Sequence, residues 1–220
     1  MKSKSIVRYI NVINILVFFC WNYGNSEPEF MFNNFLVSWV GLMEGRVWTL
    51  ITSVFSHNIL LHLLMNTLVL MSFGPVIEAR LGTRRFLYFY LAAGAFSSFC
   101  HAFVSSFLLH DPSIPALGAS GAIFGLFGAW FVLSRRLRLD SRSIVFLIVL
   151  NLAISFAVPS IAWQDHLGGL ITGAALTAAY AYAPRQHRAL VQLGATLIVV
   201  AVLVVAVITR DSQLAAAGFG

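Results

Sequence analysis

Charge is scarce in this sequence: only 10% of its 220 residues are Asp, Glu, Lys or Arg, against roughly 25% in a soluble domain. That shortage excludes a water-facing surface for most of the chain. Cysteine is nearly absent as well. Cys20 and Cys100 are the two; they sit far apart in apolar runs, so no disulfide framework and no zinc-ligand spacing can be built. Both are expected to be small buried thiols. The N-terminal stretch lacks a small-residue cleavage site, because bulky Phe18, Phe19, Cys20 and Trp21 close the apolar run that follows Met1–Arg8. It reads as a retained signal-anchor helix instead of a cleaved leader. Internal repeats, low-complexity tracts and a second domain are also missing.

What is abundant is apolar sequence. Hydrophobic residues make up 59% of the chain and the mean hydropathy is +0.85. Runs of about 18 or more apolar residues, each long enough to span a bilayer core, recur along the whole length. The pattern predicts an all-α, polytopic transmembrane bundle with helices at roughly 7–23, 58–77, 86–108, 117–134, 143–159, 162–183 and 189–209. Ser56-His57-Asn58 forms a cap region before the second, Leu81–Arg85 a break before the third, and Pro112 and Pro115 a stop before the fourth.

The net charge of +6 does not indicate nucleic acid, because the basic residues lie in short loops between apolar runs. With the N-terminus cytoplasmic, Lys2, Lys4, Arg8, Arg80, Arg84, Arg85, Arg135, Arg136, Arg138, Arg142, Arg185 and Arg188 fall inside. Of the 14 Lys and Arg residues, only Arg46 and Arg210 fall outside. That asymmetry orients the chain. The outer segment 24–57 is the longest connection, and it carries Phe30, Met31, Phe32, Phe35, Leu36, Trp39 and Trp48. A loop this apolar is expected to dip into the outer leaflet.

In this topology the second, fourth and sixth helices all enter from the outer side. Their first turns carry His62 and Asn66, Ser120, and His166, all within about 12 Å of the helix starts at 1.5 Å per residue. Each has a bland reading. A membrane serine usually bonds its own backbone, and His62 with Asn66, four apart on one face, can act as interhelical glue. An intramembrane histidine is costly and marks function by default. His101 and His110 suit interface seats near an outer helix end, and His187 sits among cytoplasmic basic residues. Glycine spacing raises the functional reading. Gly121-x-x-x-Gly125 begins beside Ser120, and Gly169-x-x-x-Gly173 begins beside His166. Two such stripes let backbones approach closely, close enough for a nucleophile and base to meet.

Gly118-Ala-Ser120-Gly121, His166-x-x-Gly169-x-x-x-Gly173 and His62-x-x-x-Asn66 closely resemble the motifs of the rhomboid family of intramembrane serine proteases. Glu78-Ala-Arg80-Leu-Gly82 extends the likeness. The resemblance covers roughly residues 45–175. It implies a six-helix rhomboid-like catalytic core within 1–188, with 189–220 an additional C-terminal transmembrane helix and short tail.

By the same resemblance Ser120 is the nucleophile and His166 its general base, a dyad without a third member. His62, Asn66 and the Ser120 backbone N–H form the oxyanion hole. Phe124 lies against the catalytic histidine, and Gly118, Gly121, Gly125, Gly169 and Gly173 support the site. No metal or cofactor is implied. The partners are transmembrane protein substrates and the lipid bilayer, not nucleic acid, and cleavage falls near the non-cytoplasmic side. A bacterial plasma membrane fits the compact chain; an organelle membrane stays open. Asp165 is left outside the dyad, since adjacent helix positions point about 100° apart. Relatives often carry Trp-Arg in the first loop, whereas here Trp48 precedes Thr49 and Arg46 stands two residues earlier. Two rival readings remain, a rhomboid-like binder that does not cut and a small transporter using His62, Asn66 and His166. The first expects the serine or histidine to be missing; the second expects paired charges deep in the bundle.

Overall fold

The computed structural model describes residues 5–24 and 27–208, leaving out the side chains of Arg185, Arg188 and 206–208. Lys2, Lys4, Arg210 and the tail 209–220, all part of the sequence expectations, lie outside the described residues. Helix α1 spans Ile6–Tyr23 and is followed by three short helices, α2 (Pro28–Phe35), α3 (Trp39–Met43) and α4 (Thr49–Thr52). A 3-10 turn at Ser53–Phe55 leads into the long helices α5 (Leu60–Leu81) and α6 (Thr83–Phe107). Then come α7 (Ser120–Arg136), α8 (Arg142–Ala157) and α9 (Trp163–Tyr182), and, after a 3-10 turn at Arg185–His187, α10 (Arg188–Ile208). Among the described residues no strand forms; Val37 and Ala116 make one isolated antiparallel bridge.

Three helices, α1, α5 and α6, are long and apolar enough to cross a membrane by length and composition. The outward faces of the bundle are apolar. On α8 only Ile144 and Ser155 are buried, while Phe146, Val149 and Phe156 point outward with 60% or more of their surface exposed. A patch of that kind needs a nonaqueous neighbour. The interior is built by α7 and α9 packed on α6 and α5, with Phe86, Phe89, Tyr90 and Leu126 fully enclosed.

Helix α5 runs to Leu81, four residues beyond the expected end. Gly82, at φ +84, turns the chain directly into α6. The charge of Glu78 is no obstacle to the longer helix. Its carboxylate accepts from the Ser5 hydroxyl, the Ile6 N–H at 3.2 Å and the Thr83 hydroxyl at 2.7 Å. That residue therefore ties the start of α1 to the α5–α6 corner.

Two expectations need correction. The outer segment is not a plain loop, because α2–α4 fold it onto the bundle. Met31 and Trp39 are buried, and Trp39 packs edge-on against Phe103 and Phe107 of α6. Phe30, Phe32 and Trp48 stay exposed. Arg46 holds Asn33 and Glu44, and Trp48 donates to Asn34 at 3.2 Å, so both residues staple the segment together. The cysteines are not both buried either: Cys20 is exposed on α1 and Cys100 half-buried on α6.

Candidate active site

Helix α7 starts at Ser120, and the residues leading into it are held from several directions. Ala116 exchanges backbone hydrogen bonds with Val37, at 3.0 and 2.8 Å. Gly118 N–H donates to Ser53 O at 2.9 Å, and Ala119 N–H donates to His57 Nε2 at 3.5 Å. Gly118 has φ +128, a conformation that L side chains rarely adopt, and a Cβ there would stand 2.6 Å from His62 Cε1. Only glycine lets the backbone before Ser120 approach the His62 ring this closely. The fold thus brings His62 of α5 to the first turn of α7, where unpaired backbone N–H groups and the helix dipole favour negative charge.

Asn66, one turn further along α5, is buried and donates one amide hydrogen to His62 O at 3.0 Å. An amide nitrogen carries two hydrogens, so one is left for another acceptor.

His57, expected only as part of a cap region, makes no side-chain cap on α5, whose first turn follows Ile59. Its ring lies 5.0 Å from that of His62, edge to face. Burial, and then the neighbouring His62, push its pKa down from 6.5 to about 3, against a small opposing effect of the Phe55 backbone. His57 is a neutral strut between the outer segment and the serine loop.

Helices α7 and α9 touch backbone to backbone. A Cβ on Gly169 would lie 1.9 Å from Gly121 O, and one on Gly173 would lie 2.2 Å from Gly125 O. His166 stands one turn before Gly169 and is buried. Its ring stacks on Phe124, with centroids 4.2 Å apart and an interplanar angle of 13°. Ser120 and Phe124 are four apart and share a face of α7. The imidazole therefore lies on the face that carries Ser120. No hydrogen bond joins Ser120 to His166 among the described residues; Ser120 itself is half-buried. Such contacts are often long without substrate and close when it binds.

The other ring nitrogen, Nδ1, has a partner that sequence did not reveal: Ser155 Oγ on α8, at 2.6 Å. Asp165 does not meet the imidazole. Its buried carboxylate faces the Ser97 side chain and the Gly121 backbone at the start of α7. His101 is also not an interface residue. It is buried, with Nε2 3.1 Å from Ile114 O, and it holds the loop that leads to Ser120. His110 is exposed at φ +56. Among the described residues no group of three or more His, Cys, Asp or Glu side chains is placed to hold a metal ion.

Comparison with known proteins adds an independent line. A family profile described as Rhomboid domain matches residues 44–183. Rhomboid protease GluP of Bacillus subtilis is 37% identical over 185 residues, which cover 78% of this chain and 34% of GluP. Putative rhomboid protease YdcA of the same organism is 33% identical over 139 residues, or 61% of this chain and 67% of YdcA. RHOMBOID-like protein 12, mitochondrial, of Arabidopsis thaliana is 34% identical over 135 residues, covering 56% of this chain and 40% of that protein. The match to GluP thus takes in about a third of that relative's length.

Proposed function

This chain belongs to the rhomboid family, and on that premise we propose that it is an intramembrane serine endopeptidase. The observation that carries the reading is the stack of His166 on Phe124, which puts an imidazole on the Ser120 face of α7 across an interface of glycines. In this mechanism Ser120 Oγ attacks the scissile carbonyl while His166 takes the hydroxyl proton. The oxyanion of the tetrahedral intermediate is received by His62, Asn66 and the Ser120 N–H. His166 then passes the proton to the leaving amine, and water hydrolyses the acyl-enzyme by the same route in reverse.

The substrate is a transmembrane segment of another protein, cut near its non-cytoplasmic end. A helical peptide bond is shielded by its own hydrogen bonds and side chains, so the segment must unwind locally. Small or helix-breaking residues near the cut favour that step. In this topology the core lies within residues 1–188 with its N-terminus in the cytoplasm of a bacterium, and α10 is an appended seventh span. The chemistry asks for no cofactor.

A fluorophosphonate probe tests the assignment. Wild type should be labelled and should cleave a model transmembrane substrate in liposomes, while Ser120→Ala and His166→Ala should do neither. Cleavage retained by both variants would remove the dyad. A folded wild type that binds membrane clients without labelling or cutting would instead be a non-cutting relative.

A further inference from the structure

Ser155 is one of two buried residues on a helix that otherwise faces outward, and its hydroxyl meets two partners. Oγ is 2.7 Å from Asn151 O, one turn back on α8, and 2.6 Å from His166 Nδ1 on α9. A hydroxyl has a single hydrogen and two lone pairs, and a carbonyl oxygen can only accept. If the hydrogen points at Nδ1, the contact to Asn151 O is lost. If it points at Asn151 O, a lone pair faces Nδ1, and both contacts become hydrogen bonds provided Nδ1 carries a proton. The second arrangement makes two side-chain hydrogen bonds where the first makes one, and in a buried site each adds to stability.

We propose that Ser155 is a positioning residue for hydrolysis. By accepting from His166 Nδ1–H, it fixes the neutral tautomer whose Nε2 lone pair is free to take the Ser120 proton. Phe124 sets the plane of the ring, and Ser155 sets which nitrogen holds the hydrogen. The arrangement supplies, from a hydroxyl on a third helix, the orienting partner that a carboxylate provides in a serine–histidine–aspartate triad. Asp165, the nearest carboxylate in sequence, is engaged with Ser97 and Gly121 instead. The inference rests on the dyad reading above and adds a residue that the reading lacks.

The full chain in detergent, cutting a fluorogenic transmembrane peptide, provides the test, together with 15N shifts of its labelled histidines. Ser155→Ala should lower kcat about tenfold with KM unchanged, the size expected for one lost hydrogen bond. Ser155→Thr, which keeps the γ-hydroxyl, should restore most of the rate. The wild-type His166 spectrum should show a pyrrole-type Nδ1 and a pyridine-type Nε2, and Ser155→Ala should shift population to the other tautomer. Unchanged kcat in Ser155→Ala, a wild-type ring protonated on Nε2, or failure of Ser155→Thr to restore the rate would overturn the role. Ser120→Ala and His166→Ala in the same assay separate the two ideas. If they still cut, the dyad has failed; if they are inert while Ser155→Ala is fully active, only Ser155 has.

Discussion

The rings of Phe124 and His166 lie nearly parallel, 4.2 Å between centroids and 13° between planes, and each helix contributes one of them. Stacking of this kind is worth about 0.5–1.5 kcal/mol beyond the area it buries. Phe124→Ala should free the imidazole to turn and should lower kcat roughly tenfold with a smaller effect on KM. Phe124→Tyr should stay near wild type. Steady-state cleavage of a transmembrane peptide distinguishes these outcomes, and full activity of Phe124→Ala would mean that the ring does not orient His166.

The α7–α9 contact makes a sharper demand. Because a Cβ on Gly169 or Gly173 would fall 1.9 or 2.2 Å from a carbonyl oxygen, neither helix can absorb it by rotating a side chain. Gly169→Ala and Gly173→Ala should force the helices apart, costing at least the 1–3 kcal/mol or so typical of overpacking. Both should lower the thermal midpoint in detergent and abolish cleavage. Gly194, which has nothing within 4 Å, gives the control, since Gly194→Ala should change neither quantity.

That contact was also among the most legible parts of the sequence. Small residues four apart beside Ser120 and His166 leave few ways for two apolar helices to meet, and periodicity placed the long helices within a few residues. The outer segment was harder to read. Helices of four to eight residues are too short to display a period, and nothing local reveals that Trp39 is claimed by Phe103 and Phe107 of α6. Ser155 was harder still, because a serine in an apolar helix most often bonds its own backbone. Ser155 does that with Asn151 O, and its second partner depends on how α8 lies against α9. His101 failed for a similar reason: its acceptor, Ile114 O, belongs to a loop whose path is a tertiary fact.

Gly118 combines two constraints that a substitution can separate from overall stability. An alanine there must adopt φ near +128 and place Cβ 2.6 Å from His62 Cε1, a conformation costing about 1–3 kcal/mol when a side chain is forced into it. The displaced groups are the His62 ring and the backbone just before Ser120. Gly118→Ala should lose at least tenfold in kcat and in the rate of fluorophosphonate labelling, while the thermal midpoint falls less than in Gly169→Ala. A variant that labelled at the wild-type rate would show that His62 need not touch this backbone.

Glu78 offers a stability test far from the chemistry. Its carboxylate gathers Ser5, Ile6 and Thr83, so Glu78→Ala leaves a backbone N–H and two hydroxyls short of an acceptor at the corner joining α1, α5 and α6. A buried donor left unmet costs about 1–3 kcal/mol; here Ser5 and Ile6 are half-buried and Thr83 is exposed, so water offsets part of the loss. The thermal midpoint should fall, with Glu78→Gln intermediate because one carbonyl oxygen remains. The protein that stays folded should keep its kcat, since no atom of this corner reaches Ser120. A selective loss of kcat at unchanged stability would instead couple the corner to the site.

His57 makes stability depend on acid in a direction that can be worked out. In the folded chain it accepts from Ala119 N–H, and its pKa stands at about 3 against 6.5 when exposed. Between those two values the unfolded chain holds a proton on this ring that the folded chain excludes. Stability must then rise with pH across that window, and its His57 contribution must level off above about pH 6.5. The thermal midpoint of the wild type should therefore fall as the buffer is taken from pH 7 towards 4. His57→Gln, which keeps a polar group without the titration, should show a lower midpoint at pH 7 but a shallower fall. The comparison of slopes matters more than either midpoint, because an altered hydrogen bond at position 57 shifts the midpoint at every pH, while loss of the His57 titration shows in the slope. Equal slopes would mean that position 57 takes up its proton without leaving the fold, and the strut between the outer segment and the serine loop would then have to be carried by the Val37–Ala116 bridge and the Ser53 acceptor alone.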